Sequence, residues 1–135
     1  MAIEGPQITI PGLVAGASLT AKQYYFVKLS AANTVIVCSA TTDVPIGVLQ
    51  NAPASGAAAT VCVQGVTKVS SNEVVAFSNI IGPSADGQAA PYAWTTDKTK
   101  YGCGQAITTS TAGGGGGMIT AYINCAAPPK LVQSA

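Results

Sequence analysis

Apolar and polar residues alternate with a two-residue period near the start of the chain, where Ile8 and Ile10 interleave with Gln7 and Thr9. That is the spacing of a strand with one buried face. Gly5, Pro6, Pro11, Gly12 and Gly16 in the same stretch exclude a helix. A segment of this kind cannot make a core alone. Residues 1–20 are therefore expected to be an extended N-terminal arm, which either adds an edge strand to its own sheet or lies along a partner. Ile8, Ile10, Leu13 and Val14 are its candidate partner contacts.

From Tyr24 the strand signals become regular. Tyr24–Ser30 is followed by a turn at Ala32-Asn33 and by the β-branched run Thr34–Ser39. Thr41-Thr42-Asp43 connects to the short apolar Ile46–Leu49, and a loop with Pro53 and Gly56 leads to Thr60–Gln64 and Val66–Val69. Gly65 between these two runs predicts a bulge or bend. Asn72–Ser78 reads as one more apolar strand.

The second half repeats the first. Ser30-Ala31 before Asn33 parallels Ser84-Ala85 before Asp86-Gly87, and Thr41-Thr42-Asp43 parallels Thr95-Thr96-Asp97. Gly47-Val48-Leu49, a loop and Val61-Cys62-Val63 parallel Gly104-Gln105-Ala106, the Gly113–Gly117 run and Ile119–Ile123, at an offset of about 54 to 57 residues. These signals predict an all-β fold: a small β-sandwich or partly open barrel built from two similar hairpin units, with the N-terminal arm added. The single β domain is expected over residues 21–125, with pseudo-repeats at about 24–69 and 78–124, and residues 126–135 as a C-terminal tail.

Composition narrows the function. The chain has 135 residues, enough to bury a real core. Only 8 % of them are Asp, Glu, Lys or Arg, against about 25 % in an average domain. So neutral a surface suits a protein whose faces are covered by neighbours; the alternative is a soluble monomer coated in Ser, Thr, Asn and Gln. The six basic residues (Lys22, Lys28, Lys68, Lys98, Lys100 and Lys130) are scattered, and none is Arg. No nucleic-acid partner is expected without a concentrated basic face. No apolar run reaches the length of a bilayer span, so no membrane partner is expected either. Met1–Pro6 has neither a basic nor an apolar signal-peptide region, which points to synthesis in a cytoplasm.

The same residues argue against an enzyme. The chain has no histidine, so the commonest general base and metal ligand are missing. Glu4, Asp43, Glu73, Asp86 and Asp97 are spread out, with Asp43, Asp86 and Asp97 in turn contexts where carboxylates cap backbone amides. A carboxylate pair from Asp43 and Asp97 is the one glycosidase-like arrangement available. Thr95-Thr96-Asp97-Lys98 mimics a hydroxyl-x-x-Lys nucleophile but lacks the helix that pattern needs. Gly113–Gly117 leads into a strand-like segment, not the helix of a phosphate loop. No catalytic residue, metal site or cofactor is expected. Cys38, Cys62, Cys103 and Cys125 form no Cys-x-x-Cys pair. They read as buried small hydrophobes, with Cys38–Cys62 and Cys103–Cys125 as possible disulfides within the halves. Tyr24, Tyr25, Tyr92, Trp94 and Tyr101 are either core aromatics or, for a carbohydrate-binding module, a stacking platform led by Tyr92 and Trp94.

Pro45-Ile46-Gly47-Val48-Leu49-Gln50-Asn51-Ala52-Pro53-Ala54-Ser55-Gly56, followed by Val61-Cys62-Val63-Gln64-Gly65-Val66-Thr67-Lys68-Val69, resembles the capsid decoration (cement) proteins of tailed phages. Ile81-Gly82, Asp86-Gly87-Gln88-Ala89 and Gly102-Cys103-Gly104-Gln105-Ala106 resemble the second half of the same family, so the likeness runs from about Tyr24 to Ile123. It implies a non-enzymatic structural virion protein bound to the outer surface of an assembled bacteriophage capsid. Its partner would be the major capsid protein, and it would be a homo-oligomer, a trimer by preference or a dimer. A head fibre or tail protein is the chief alternative.

Overall fold

The computed structural model describes residues 2–93, 95–97, 99–110 and 117–126. Trp94, Lys98, most of the five-glycine run and the tail after Ala126 lie outside these residues. Regular structure among the described residues is all strand: β1 (Gln7–Ala15), β2 (Phe26–Ala31), β3 (Thr34–Val37), β4 (Gly47–Leu49), β5 (Ala58–Ser71), β6 (Ile80–Pro83), β7 (Ala89–Tyr92), β8 (Gly104–Ala106) and β9 (Gly117–Asn124). They join in one nine-stranded sheet of order β1-β3-β2-β4-β5-β7-β6-β8-β9, with β5 paired in addition to β1 and β9. The fold is a partly open barrel, as the alternating apolar runs and turn residues predict.

The two halves share one pairing scheme. In the first, β1 pairs β3 in parallel and β5 antiparallel, while β2 pairs β3 and β4 and β4 pairs β5. In the second, β5 pairs β7 in parallel and β9 antiparallel, while β6 pairs β7 and β8 and β8 pairs β9. Strand β5 is thus the last strand of one five-stranded unit and the first of the next. The changeover falls at Gly65, which faces Gln7 on one side and Ile123 on the other. Its φ of 134°, and a would-be Cβ 2.2 Å from the Pro6 carbonyl oxygen, admit only glycine. Neither unit closes tightly: β1–β3 is held by two residue pairs and β5–β7 by one, Ser71 with Ala89.

Three sequence expectations change. Of the two places left open for the N-terminal arm it takes the one in its own sheet, as strand β1, but paired on both sides and not at an edge. It occupies in the first unit the place that the second half of β5 holds in the second, so Leu13, 4 % exposed, and Ala15 belong to the core. The break at Pro11-Gly12 that suggested an arm is a register shift between Ile10 and Leu13, with Gly12 at φ 81°. Residues on both sides of Gly65 belong to one strand. Asn72–Ser78 is a loop whose Val75 plugs the second core while Val74 and Phe77 point outward.

Each unit has its own apolar interior. Leu13, Leu19, Val27, Val35, Leu49 and Val61 fill the first. Val69, Val75, Ile81, Ile119, Ala121 and Ile123 fill the second, joined there by Phe26 and Val48 from strands of the first. Burying one such side chain contributes about 1.5–3 kcal/mol, and Phe26 and Val48 couple the two halves.

Candidate contact surface

The outer face of β6, β8 and β9 carries the most developed surface feature. Register places Ile80 opposite Gln105 and Gln105 opposite Tyr122, one row across three strands. On β9 the inward residues are Ile119, Ala121 and Ile123, so the two-residue period turns Tyr122 outward. Ile80 is 41 % exposed and Tyr122 45 %. A depression of about 300 Å³ opens beside this row, floored by Gly102, Cys103, Gly104 and Asn124. A second, of about 240 Å³, lies on the other side of Tyr122 and is lined by Pro6, Gln7, Ile8, Gln64 and Gly65. The Tyr122 hydroxyl accepts a hydrogen bond from Gln64 Nε2 at 3.1 Å, which fixes the ring as a ridge between the two hollows. No residue lining either hollow is charged. Asn124 Oδ1 at the first is buried without a hydrogen-bond partner among the described residues.

An apolar, charge-free patch with an aromatic ridge and a polar amide rim has the anatomy of a protein interface core. A further depression of about 370 Å³ is lined by Leu29, Val44, Pro45, Ile46, Cys125 and Ala126. Of the four expected contact residues, Ile8, 62 % exposed, lies on this surface. Ile10 packs against the first core, and Leu13 is buried inside it. Val14 faces outward in register with Thr34 and Ala58. The four therefore do not form one patch. Ile80, Gln105 and Tyr122 were missed, although the alternation Ile119, Ala121, Ile123 marks Tyr122 as outward.

The charged residues hold structure. Asp43 accepts hydrogen bonds from the Ser39 and Ala40 amides and from Lys28 Nζ, the last at 2.8 Å. Asp97 accepts from the Ala93 amide at 2.6 Å and from Lys100 Nζ at 2.5 Å. These are equivalent turns in the two units, each with a carboxylate bonded to the amide four residues before it. Desolvation pushes both carboxyls up, but the lysine and amide hydrogen bonds outweigh it and hold both below the ordinary carboxylate range. Each expected member of the carboxylate pair is a turn cap. Lys22 and Lys68 lie over the rings of Tyr25 and Tyr24. Tyr92 is 8 % exposed and its hydroxyl donates to the Pro83 carbonyl, which removes half of the expected sugar-stacking pair; Trp94 lies outside the described residues.

All four cysteines are buried thiols in the second core, with no disulfide among them. Burial pushes Cys38 up to about 12 and Cys62 up to about 11. The neighbouring Cys103 thiol, together with burial, raises Cys125 well above a free thiol, and Cys103 Sγ itself donates to the Tyr101 carbonyl at 3.3 Å. Among the described residues no group of His, Cys, Asp or Glu is arranged to hold a metal ion.

No protein-family model matches this chain, and no curated protein does. Among solved structures it is similar to the N base of the head fibre protein gp8.5 of bacteriophage phi29, with a TM-score of 0.60 and 15 % sequence identity. The superposition covers 89 % of this chain and 96 % of that one. At this identity what the two share is the fold, over nearly the whole length of both.

Proposed function

We propose that this chain is a non-enzymatic structural protein of a bacteriophage virion, seated on the outer surface of the capsid as a decoration (cement) protein. The observation that carries the reading is the fold shared, over 89 % of this chain, with the base of a phage head fibre. Composition supports it independently. A chain with 8 % charged residues and no histidine is poor in proton-transfer groups and rich in surface suited to contact.

The mechanism is linkage. A protein that binds the assembled shell and not its loose subunits stabilises the shell by RT ln(1 + [L]/Kd), about 2.7 kcal/mol per site at a hundredfold excess over Kd. The partner is the major capsid protein, and a homotrimer is the favoured form of the bound protein. A second reading, the base of a head fibre, is favoured by the identity of the solved neighbour. Electron cryomicroscopy of particles purified from cells making this chain tests both. Density for the chain at many equivalent shell positions, with no shaft above it, supports the cement reading. A projecting shaft supports the fibre reading, and particles that lack the chain altogether contradict both.

A further inference from the structure

We infer that the row Ile80, Gln105 and Tyr122 is the surface on which a second copy of this chain packs. This names the contact of the homo-oligomer proposed above, and rests on that reading only for there being more than one copy. The two units carry equivalent rows. In the first, Phe26 stands opposite Val48 and Val48 opposite Cys62, across β2, β4 and β5. In the second, Ile80 stands opposite Gln105 and Gln105 opposite Tyr122, across β6, β8 and β9. Glycines mark the match: Gly47 precedes Val48 and abuts the Cys62 carbonyl, as Gly104 precedes Gln105 and abuts that of Tyr122. The inner faces match as well. Val27, Leu49 and Val61 belong to the first core, and Ile81, Ala106 and Ala121, their counterparts, to the second. Both rows therefore lie on the outer faces of their own units.

What covers the two rows differs. Phe26, Val48 and Cys62 are all 0 % exposed, because the second unit of the same chain closes over them. Ile80 and Tyr122 are 41 % and 45 % exposed, Gln105 is exposed too, and among the described residues nothing lies over them. A face that seats a β unit of this chain in one half, and is open in the other, suits a β unit of another copy. The two interiors say how it would sit. Ala106 and Ala121 leave the room that Phe26 and Val48 fill, whereas the first unit has Leu49 and Val61 at those positions. A second copy therefore meets the row surface to surface, without insertion into a core.

The chemistry of the face fits the same occupant. Its two hollows are lined without a charged residue, so a charged partner would be desolvated there with no ion pair in return. A second copy, with 8 % charged residues, avoids that cost. The face is also self-complementary, since the Tyr122 ridge stands between two hollows, each able to receive the ridge of another copy. Asn124 Oδ1 at the floor of the larger hollow is a buried acceptor that an incoming N–H group satisfies. Linked copies hold a repeating surface far more tightly than one copy does, so losing this contact also weakens attachment to a head.

Sedimentation equilibrium of the full chain, with no heads present, tests the contact. The parent is expected to run as a dimer or trimer, and Ile80→Asp combined with Tyr122→Asp as a single chain. Leu29→Asp, at the separate depression, should keep the parent's mass. A second measurement does not depend on how well the double variant folds. With the photoreactive p-benzoylphenylalanine in place of Tyr122, illumination should join two chains, through a peptide that contains residues 102–105 or 122. A parent that stays a single chain up to about 100 μM, beyond the micromolar end of such interfaces, overturns the inference. So does a double variant that keeps the parent's mass, or a cross-link that maps away from this face. Copies that associate through the row yet ignore heads would leave this inference standing and remove the cement reading. Single chains that bind heads would do the reverse.

Discussion

Gly47 and Gly104 open the short fourth strand of each unit and show how single residues fix this fold. A Cβ on Gly47 would lie 2.2 Å from the Cys62 carbonyl oxygen, and one on Gly104 would lie 2.3 Å from that of Tyr122. Backbone occupies that space and cannot step aside, so Gly104→Ala is expected to cost about 1–3 kcal/mol. Gly12, at φ 81° with open space around it, pays only the left-handed conformation, and Gly12→Ala should cost about 1–2 kcal/mol. Urea denaturation of both variants measures the difference. The carboxylates make a pH prediction. The folded pKa of Asp43 is depressed, so its contribution is present above its unfolded pKa of about 3.9 and lost as pH falls through the folded value. Asp43→Asn should therefore lower stability by about 1 kcal/mol at pH 7 and by much less near pH 3. The buried thiols act at the other end. Cys38 and Cys62 hold their protons up to about 12 and 11, whereas unfolded cysteine loses its proton near 8.5, so stability should fall as pH rises through that window. Denaturation midpoints of Cys38→Val against the parent between pH 8 and 11 check the slope.

At the scale of elements, the repeat was legible because its markers are turn and strand residues at matching positions: Asn33 with Asp86-Gly87, Asp43 with Asp97, and Gly47 with Gly104. Local chemistry of this kind reads directly from sequence. The role of β1 was half legible: a strand added to its own sheet was one of the two places open to it, but its pairing on both sides was not readable. Its partners, β3 and β5, are fixed by long-range register, and its Pro-Gly break hides a bulge inside an otherwise continuous pairing. Nor was the continuity of β5 through Gly65, because a glycine that breaks one strand and a glycine that lets another chain segment cross look alike in sequence. The candidate surface was half legible: Ile8 stood out as an apolar residue in a polar setting, whereas Tyr122 disappeared into an apolar run. Deleting residues 2–15 should now destroy the cooperative unfolding transition, since it strips β5 of a partner and removes Leu13 and Ala15 from the core. A sharp thermal transition in the deleted chain would contradict this assignment of β1.

At the scale of the molecule, a small shared-strand barrel leaves the hollows on either side of Tyr122 free of charged residues. Lys28–Asp43 and Lys100–Asp97 neutralise each other as pairs, and with no charge lining the hollows beside Tyr122 apolar contact carries the attraction there. The face around Tyr122 is the part of the surface suited to it. Ile80→Asp combined with Tyr122→Asp alters two half-exposed strand positions and gives up the Gln64–Tyr122 hydrogen bond, so it should cost about 1–2 kcal/mol while leaving the buried core intact. The central claim, that this chain works by docking on an assembled phage head, is tested most directly by sedimenting the purified protein with heads stripped of it. Saturable binding to heads, absent with dissociated capsid subunits and lost in the double variant, is the predicted result. Failure of the parent protein to sediment with heads at any concentration would contradict the account.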